Sequence, residues 1–396
     1  MKALPHQKHC SLYIAFFAMY TFSNLLFAAK YTPRAGFDPF TGSIVYLVLC
    51  SAFLALVWFS GNRKWSFLND NFWRHAYRVM IILVPLASLV LLMTIDKTAL
   101  RVDRWSAIEG FLEKLFSGDY PYTAESHLGQ ATSPMPTLHL ISLPFYFLGD
   151  VGYLQIAVFL VFAAAVFYTV PRSNYSRSSI LLLLVAAPAF WWEIVARSEL
   201  MSTMTITVIL LMLVDHGNNA RVLKRPFLVG IPVGLLMATR GIVVIPLILY
   251  FFPKLFSTSL KNRAVFMAVS IVSFSVVLLP FVLWDPELFM QHNPLVHQTN
   301  KTPTFVQVTT ILLSLIFSFR AKELWQVFFS AGSILFGIML FTLLYTIRDV
   351  GFHGAFHESL FDISYFNSAL PFLLVSFGLL NGHREKRLGV SPAENS

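Results

Sequence analysis

Charge is what this chain has least of. Asp, Glu, Lys and Arg make up 12% of its 396 residues, while 56% are hydrophobic. Soluble domains carry about 25% charged residues, so this shortage excludes an ordinary water-soluble fold. Cysteine is almost absent too. Cys10 precedes the first apolar run and Cys50 lies inside the second, a placement that provides neither a disulfide framework nor a thiolate zinc site. The alternation expected of an outer-membrane barrel is missing, as are heptads and solenoid repeats.

What remains is a series of apolar runs such as "SLYIAFFAMYTFSNLLFAA", "GSIVYLVLCSAFLALVWFS" and "RVMIILVPLASLVLLMTI". Each matches the roughly 17 to 25 residues that a helix needs to cross a bilayer. Taking short and Pro-interrupted pieces together, about twelve apolar segments are expected on hydropathy. The expectation is therefore an all-α, polytopic transmembrane protein forming one integral-membrane domain over residues 1–396. Within it, residues 1–95 are N-terminal helices, 96–304 a core with external loops at 96–133 and 285–304, and 305–396 C-terminal helices with a basic tail. The first run follows Lys2 and Lys8 and ends at "LLFAAK"; its length favours a retained anchor over a cleaved signal peptide.

The formal charge of +9 comes from Lys and Arg gathered in short loops and in "GHREKRLG". Such clusters orient membrane proteins with the basic loops in the cytoplasm, so the basicity is read as topogenic and no nucleic-acid partner is expected. Holding both "NNARVLKR" and "PKLFSTSLKNR" inside requires "PFLVGIPVGLLMATRGIVVIPLILYFF" to enter and return as two half-helices meeting near Arg240. It also makes "SPMPTLHLISLPFYFLG" a re-entrant or tilted piece; the rival threading counts both as single spans and puts Arg221, Lys224 and Arg225 outside, against the charge rule. Broken helices at membrane depth are tolerated where protein covers them or where they line a cavity. The tail "SPAENS" reads as disordered.

Against this background, "VDRWSAIEGFLEKLFSGDYPY" stands out for its charge. Trp105, Ile108, Phe111, Leu112, Leu115 and Phe116 form one helical stripe, and Arg104, Glu109, Glu113 and Lys114 fall on other faces. The spacing predicts an interfacial helix whose apolar face dips into the headgroup boundary, ending at Gly118, Asp119 and Pro121. Asp103 stands at its start, where the commonest use of an aspartate is to cap the helix. The same position also fixes a carboxylate at the membrane surface.

The order "VDRW…FLEKLFSGDYPYTAES…SPMPTLHLISLPFYFLGD" resembles the first external loop of the GT-C superfamily of membrane glycosyltransferases, in particular the polyprenol-phosphate-sugar-dependent, mannosyltransferase-like group. "AAPAFWWEIVARSELMSTMTITVILLMLV" and the segment around Arg240 are similar to its mid-chain helices, and the likeness runs over residues 96–303. Arg104 follows Asp103 where many relatives carry a second acidic residue, so no metal requirement is carried over and the cofactor stays open. Pro134 and Pro136 of "SPMPT" stand where relatives often have Tyr-Pro-Pro.

The resemblance implies transfer of a hexose from a polyprenyl-phosphate donor to a lipid-linked or envelope glycan acceptor at the outer face of a bacterial inner membrane. Such transfer needs a base for the acceptor hydroxyl and cations for the departing phosphate. Asp103 is the candidate base. Arg240, an arginine costly to place in an apolar run, is the candidate phosphate ligand, with Arg197 as a second. Arg104, Tyr120, Tyr122, His127 and Glu193 are candidate substrate contacts, although Glu193 and Arg197 equally fit a structural ion pair and the tyrosines fit interfacial anchors. His292 and His297 are placed at the acceptor entrance. His353 and His357, four apart, lack a third ligand, and no metal is assigned. Asn300-Lys301-Thr302 matches a glycosylation sequon. The alternative is a transporter or flippase of a lipid-linked or anionic substrate, which also needs broken helices and buried charge; a third class, a membrane acyltransferase, would use His139 as base.

Overall fold

The computed structural model describes residues 5–62, 68–170, 173–216, 222–299 and 302–387. Among them every regular element is helical, and the β structure is one isolated bridge between Glu125 and Ala131. Three long helices open the chain, α1 (Pro5–Tyr31), α2 (Pro39–Asn62) and α3 (Asp70–Thr94). Shorter ones follow: α4 (Arg104–Ser117), α5 (Pro136–Phe147), α6 (Tyr153–Thr169), α7 (Asn174–Val185), α8 (Pro188–Val195), α9 (Leu200–His216), α10 (Pro226–Met237) and α11 (Val244–Phe256). The last part comprises α12 (Leu260–Trp284), the two-turn α13 (Pro286–Gln291) and α14 (Pro294–Thr299), then α15 (Thr304–Arg320), α16 (Leu324–Phe352) and α17 (Leu370–Arg387).

Length divides the apolar segments. Among the described residues six are long and apolar enough to cross a membrane, or up to eight if the bent pairs α7 with α8 and α13–α14 with α15 each count as one span. α6, α9, α10 and α11 are apolar but shorter. At about 1.5 Å per residue, the 12-residue α5 reaches about 18 Å, short of the roughly 30 Å hydrocarbon core.

The direction of α10 and α11 follows from what their residues touch. Gly230 abuts Phe266 and Val269, and Gly234 abuts Ser270 and Ser273, so α10 and α12 advance together and run parallel. Phe251 of α11 is back beside Phe266, ring centroids 5.3 Å apart. The chain therefore enters along α10, breaks at residues 238–243 and returns along α11. Glycine is required at the contact, because a Cβ on Gly234 would lie 2.2 Å from the Ser270 carbonyl oxygen; small residues allow this approach where lipid offers no hydrophobic drive.

The same reasoning sorts the ends of the bundle. Ser178 bonds the Trp73 carbonyl and Tyr175 that of Val57, each at 2.6 Å, gathering the end of α2 and the starts of α3 and α7. Phe319 of α15 meets Phe252 and Phe256 of α11, and Ser376 of α17 bonds the Trp325 carbonyl. At the opposite end Arg197 bonds the carbonyls of Leu92 and Ile95. That end also carries residues 96–135, α13 and α14, and the α16–α17 connection. Among the described residues, the helix ends that flank the basic loops thus share one end of the bundle and both polar loops lie at the other. The central position belongs to α17, whose apolar window is 89% buried against 17% for α2 and α12.

One expectation is corrected. The apolar stripe of α4 does not lie against lipid: Trp105, Ile108, Phe111 and Leu112 are buried in a cluster with Tyr120, Tyr122, Val151, Phe281 and Phe289, and only its far end, Phe116, is exposed. An amphipathic period says that a face will be covered, not by what. The C-terminus ends as expected at Gly118, with φ 84°. Asn300 and Lys301 of the sequon, residues 218–221 of the "NNARVLKR" loop, Lys2 and the "SPAENS" tail lie outside the described residues.

Candidate functional site

At the end of the bundle opposite the basic loops lies a cavity of about 540 Å³. Its walls come from the end of α1, residues 101–104, the turn at 130–134, the α8–α9 and α10–α11 junctions, His297 of α14 and the α16–α17 connection. Asp103 and Arg240 both line it.

Asp103 stands at the N-cap of α4 but makes no capping bond there. Instead its Oδ2 accepts from Ser126 Oγ at 3.1 Å. Ser126 is held in turn, because its Oγ accepts from the Gln130 backbone at 3.1 Å and its own N–H donates to the Gln130 carbonyl at 2.8 Å. Gly129, with φ 73°, closes this turn. The carboxylate is thereby fixed by one hydroxyl and left partly exposed to the cavity.

Arg240 is extended at the break between α10 and α11, with φ −151° and ψ 139°. The break is stitched to its surroundings through backbone: Met135 donates to the Thr239 carbonyl and Thr137 to that of Ala238, both at 3.0 Å. Gln298 of α14 accepts from the Gly241 N–H at 2.8 Å and donates to the Ser133 carbonyl at 2.6 Å. The Arg240 guanidinium pairs with Glu199, and both side chains are buried. Arg240 Nε and Glu199 Oε2 lack a partner among the described residues, so the buried pair presents one spare donor and one spare acceptor. Buried polar atoms without partners are rare in stable structures, and these two mark a place for a polar occupant.

A second ion pair faces the first. Arg104 pairs with Asp362 and stands 5.6 Å over the Tyr365 ring. Burial would raise the Asp362 carboxyl, but the Arg104 charge and the Ser364 bonds outweigh it and hold it below the usual carboxylate range. A carboxylate lowered on folding contributes stability above its unfolded pKa, near 3.9, and loses it as pH falls through the lower folded value. Wild-type protein is therefore expected to lose stability below about pH 4 more steeply than Asp362→Asn. Thermal midpoints measured across pH 2.5 to 7 (roughly the window over which carboxylates titrate) check this, and parallel curves would contradict it.

The remaining expected site residues lie elsewhere. Arg197 is buried with φ 50° and bonds Asp150 and the carbonyls of Val195, Leu92 and Ile95. These bonds occupy the guanidinium in joining α3 to the α8–α9 junction. Glu193 does not pair with Arg197: it accepts from Asn367 at 2.8 Å and from the Met201 N–H at 3.3 Å. Tyr120 donates to the Phe281 carbonyl and Tyr122 to that of Pro134, both inside the aromatic cluster beneath α4. His127 contacts Ser106 Oγ and the Leu100 carbonyl and stacks on Trp105. His139 stacks on Phe111 with centroids 3.7 Å apart. His353 and His357 are neighbours, ring centroids 5.2 Å apart. Among the described residues no three His, Cys, Asp or Glu side chains are grouped to hold a metal. Arg104 and His297 do reach the cavity.

Glu199, Asp362, Arg101 and Lys30 line the cavity without having been singled out in the sequence. Glu199 had a usable signal, since a carboxylate inside "RSELM" and an arginine inside "ATRG" are both costly alone and become tolerable as a pair. Asp362 and Lys30 had none, being brought in by helices distant in the chain. No protein-family model, curated protein sequence or solved structure matches this chain.

Proposed function

We propose that the chain is a membrane glycosyltransferase of the GT-C type, moving a hexose from a polyprenyl-phosphate donor to a lipid-linked or envelope glycan acceptor. The single observation that carries this reading is the convergence of Asp103 and Arg240 on one cavity at the end of the bundle away from the basic loops, the outer face by the positive-inside rule. In this reading the Asp103 carboxylate takes the proton of the acceptor hydroxyl as that oxygen bonds to the anomeric carbon. The bond from the anomeric carbon to the phosphate oxygen breaks, and the lipid phosphate leaves with the electron pair. Arg240 stabilises that charge through its spare Nε–H, with Glu199 holding the guanidinium in place. The membrane in this reading is a bacterial inner membrane.

Purified protein in detergent, supplied with a panel of polyprenyl-phosphate sugars and membrane glycolipids, is expected to release lipid phosphate in step with acceptor glycosylation. The rival transporter reading draws on the broken α10–α11 pair and expects vesicle-reconstituted protein to move a labelled lipid phosphate across the bilayer without altering it. Translocation with no sugar transfer from any donor would replace the enzyme reading.

A further inference from the structure

We propose that the rim of this cavity holds a second anion subsite, built on Arg101 and Lys30, and that the acceptor therefore carries its own phosphate. This rests on the glycosyltransferase reading for the identity of the ligand, but the subsite itself can be measured without turnover.

The cations at this end of the bundle are almost all accounted for by partners. Lys97 lies 2.6 Å from Glu109, and Lys114 donates to Thr123 at 2.6 and 3.0 Å. Arg104 pairs with Asp362 and Arg240 with Glu199. Arg101 differs: it is exposed, lines the cavity and makes no ion pair among the described residues. Lys30 comes to the same cavity from the end of α1 and is held there by Ser359 Oγ at 2.8 Å. No side chain caps α4, whose first turn also forms part of the wall through Arg104 and Ala107, and an uncapped helix start favours an anion. Arg101 and Lys30 thus bring two positive charges to a rim that also carries the Asp103 carboxylate, and the two deeper guanidiniums, Arg104 and Arg240, are each paired with a carboxylate.

Position then says which anion belongs there. The donor phosphate is the leaving group and belongs with the buried Arg240. Arg101 is two residues from Asp103, the base for the acceptor hydroxyl, so a charge on the acceptor falls within its reach.

The test uses full-length protein in nanodiscs of zwitterionic lipid and two probes, a long-chain alkyl glucoside phosphate and the same glucoside without its phosphate. Wild-type protein should bind the phosphorylated probe at least about tenfold more tightly, the scale of one charge-assisted contact, and Arg101→Gln should erase that difference while leaving the thermal midpoint unchanged. In turnover, Arg101→Gln should raise KM for a phosphorylated acceptor about tenfold, with kcat and donor KM within twofold of wild type. Equal binding of the two probes by wild type, or a rise in donor KM instead of acceptor KM, overturns the proposal. Competition by ordinary anionic phospholipid added to the nanodiscs, equal in strength to the probe, would show a bulk headgroup site and overturn it as well. If no donor supports transfer, the glycosyltransferase reading fails while the binding comparison still decides whether the rim takes a phosphate.

Discussion

Asp103→Asn is expected to reduce sugar transfer by about 10² to 10⁴-fold, the usual contribution of a positioned general base, with the protein inserted and folded as before. The second half of that expectation comes from the surroundings of the carboxylate. Asp103 makes no capping bond to α4, so the roughly 1 kcal/mol that a capping aspartate contributes is not at stake. Its contact with Ser126 Oγ survives in asparagine, whose side-chain oxygen still accepts a hydrogen bond. Loss of the base thus separates from loss of structure. Steady-state rates and thermal midpoints on the same preparation check both halves. The loss should fall on kcat and kcat/KM together, because the proton is transferred only in the transition state. Full activity in this variant would remove Asp103 from the mechanism, and a fall in thermal midpoint parallel to the fall in rate would return it to a structural role.

How much of this was legible in the sequence depended on the range of the interaction. The apolar runs, the amphipathic helix from Arg104 to Ser117 and its glycine stop are local features, set by hydropathy, a 3.6-residue period and a φ of 84°, and they were readable from neighbours in the chain. The return of the chain at Arg240 was readable too, because two basic loops had to share a side. What covers the α4 stripe was not, since Phe281 and Phe289 lie far away in sequence. The places of the aromatic and histidine candidates were not legible for a related reason. Tyr120 and Tyr122 follow α4 closely in the chain, yet their rings are buried in the cluster beneath it, and His127 lies exposed against Trp105. Conversely Asp362, which shares a cavity with Asp103, follows it by more than 250 positions. Pairing of charges offered a better guide than adjacency: each buried guanidinium at this end of the bundle found a carboxylate from another element.

That pairing leads to the largest expected change in stability. Glu199→Gln leaves the Arg240 guanidinium buried without its counter-charge, and removing one partner of a buried pair typically costs about 3 to 5 kcal/mol. Arg240→Met strands the Glu199 carboxylate in the same way and should cost a similar amount. Replacing both, Arg240→Met with Glu199→Leu, removes the two charges together, and apolar substitutes of similar volume in such sites are often neutral or stabilising. The double variant is therefore expected to recover most of the lost thermal midpoint, with a coupling well above the few tenths of a kcal/mol seen for independent sites. Activity should follow a different pattern. If Arg240 holds the departing phosphate, the double variant stays as inactive as Arg240→Met despite its recovered stability, because no cation remains beside that oxygen. Recovery of both stability and transfer would make the pair a packing feature and leave the deep end of the cavity without a phosphate ligand. Additive losses in the double variant would show instead that Glu199 and Arg240 are stabilised by separate neighbours and that their pairing contributes little to stability.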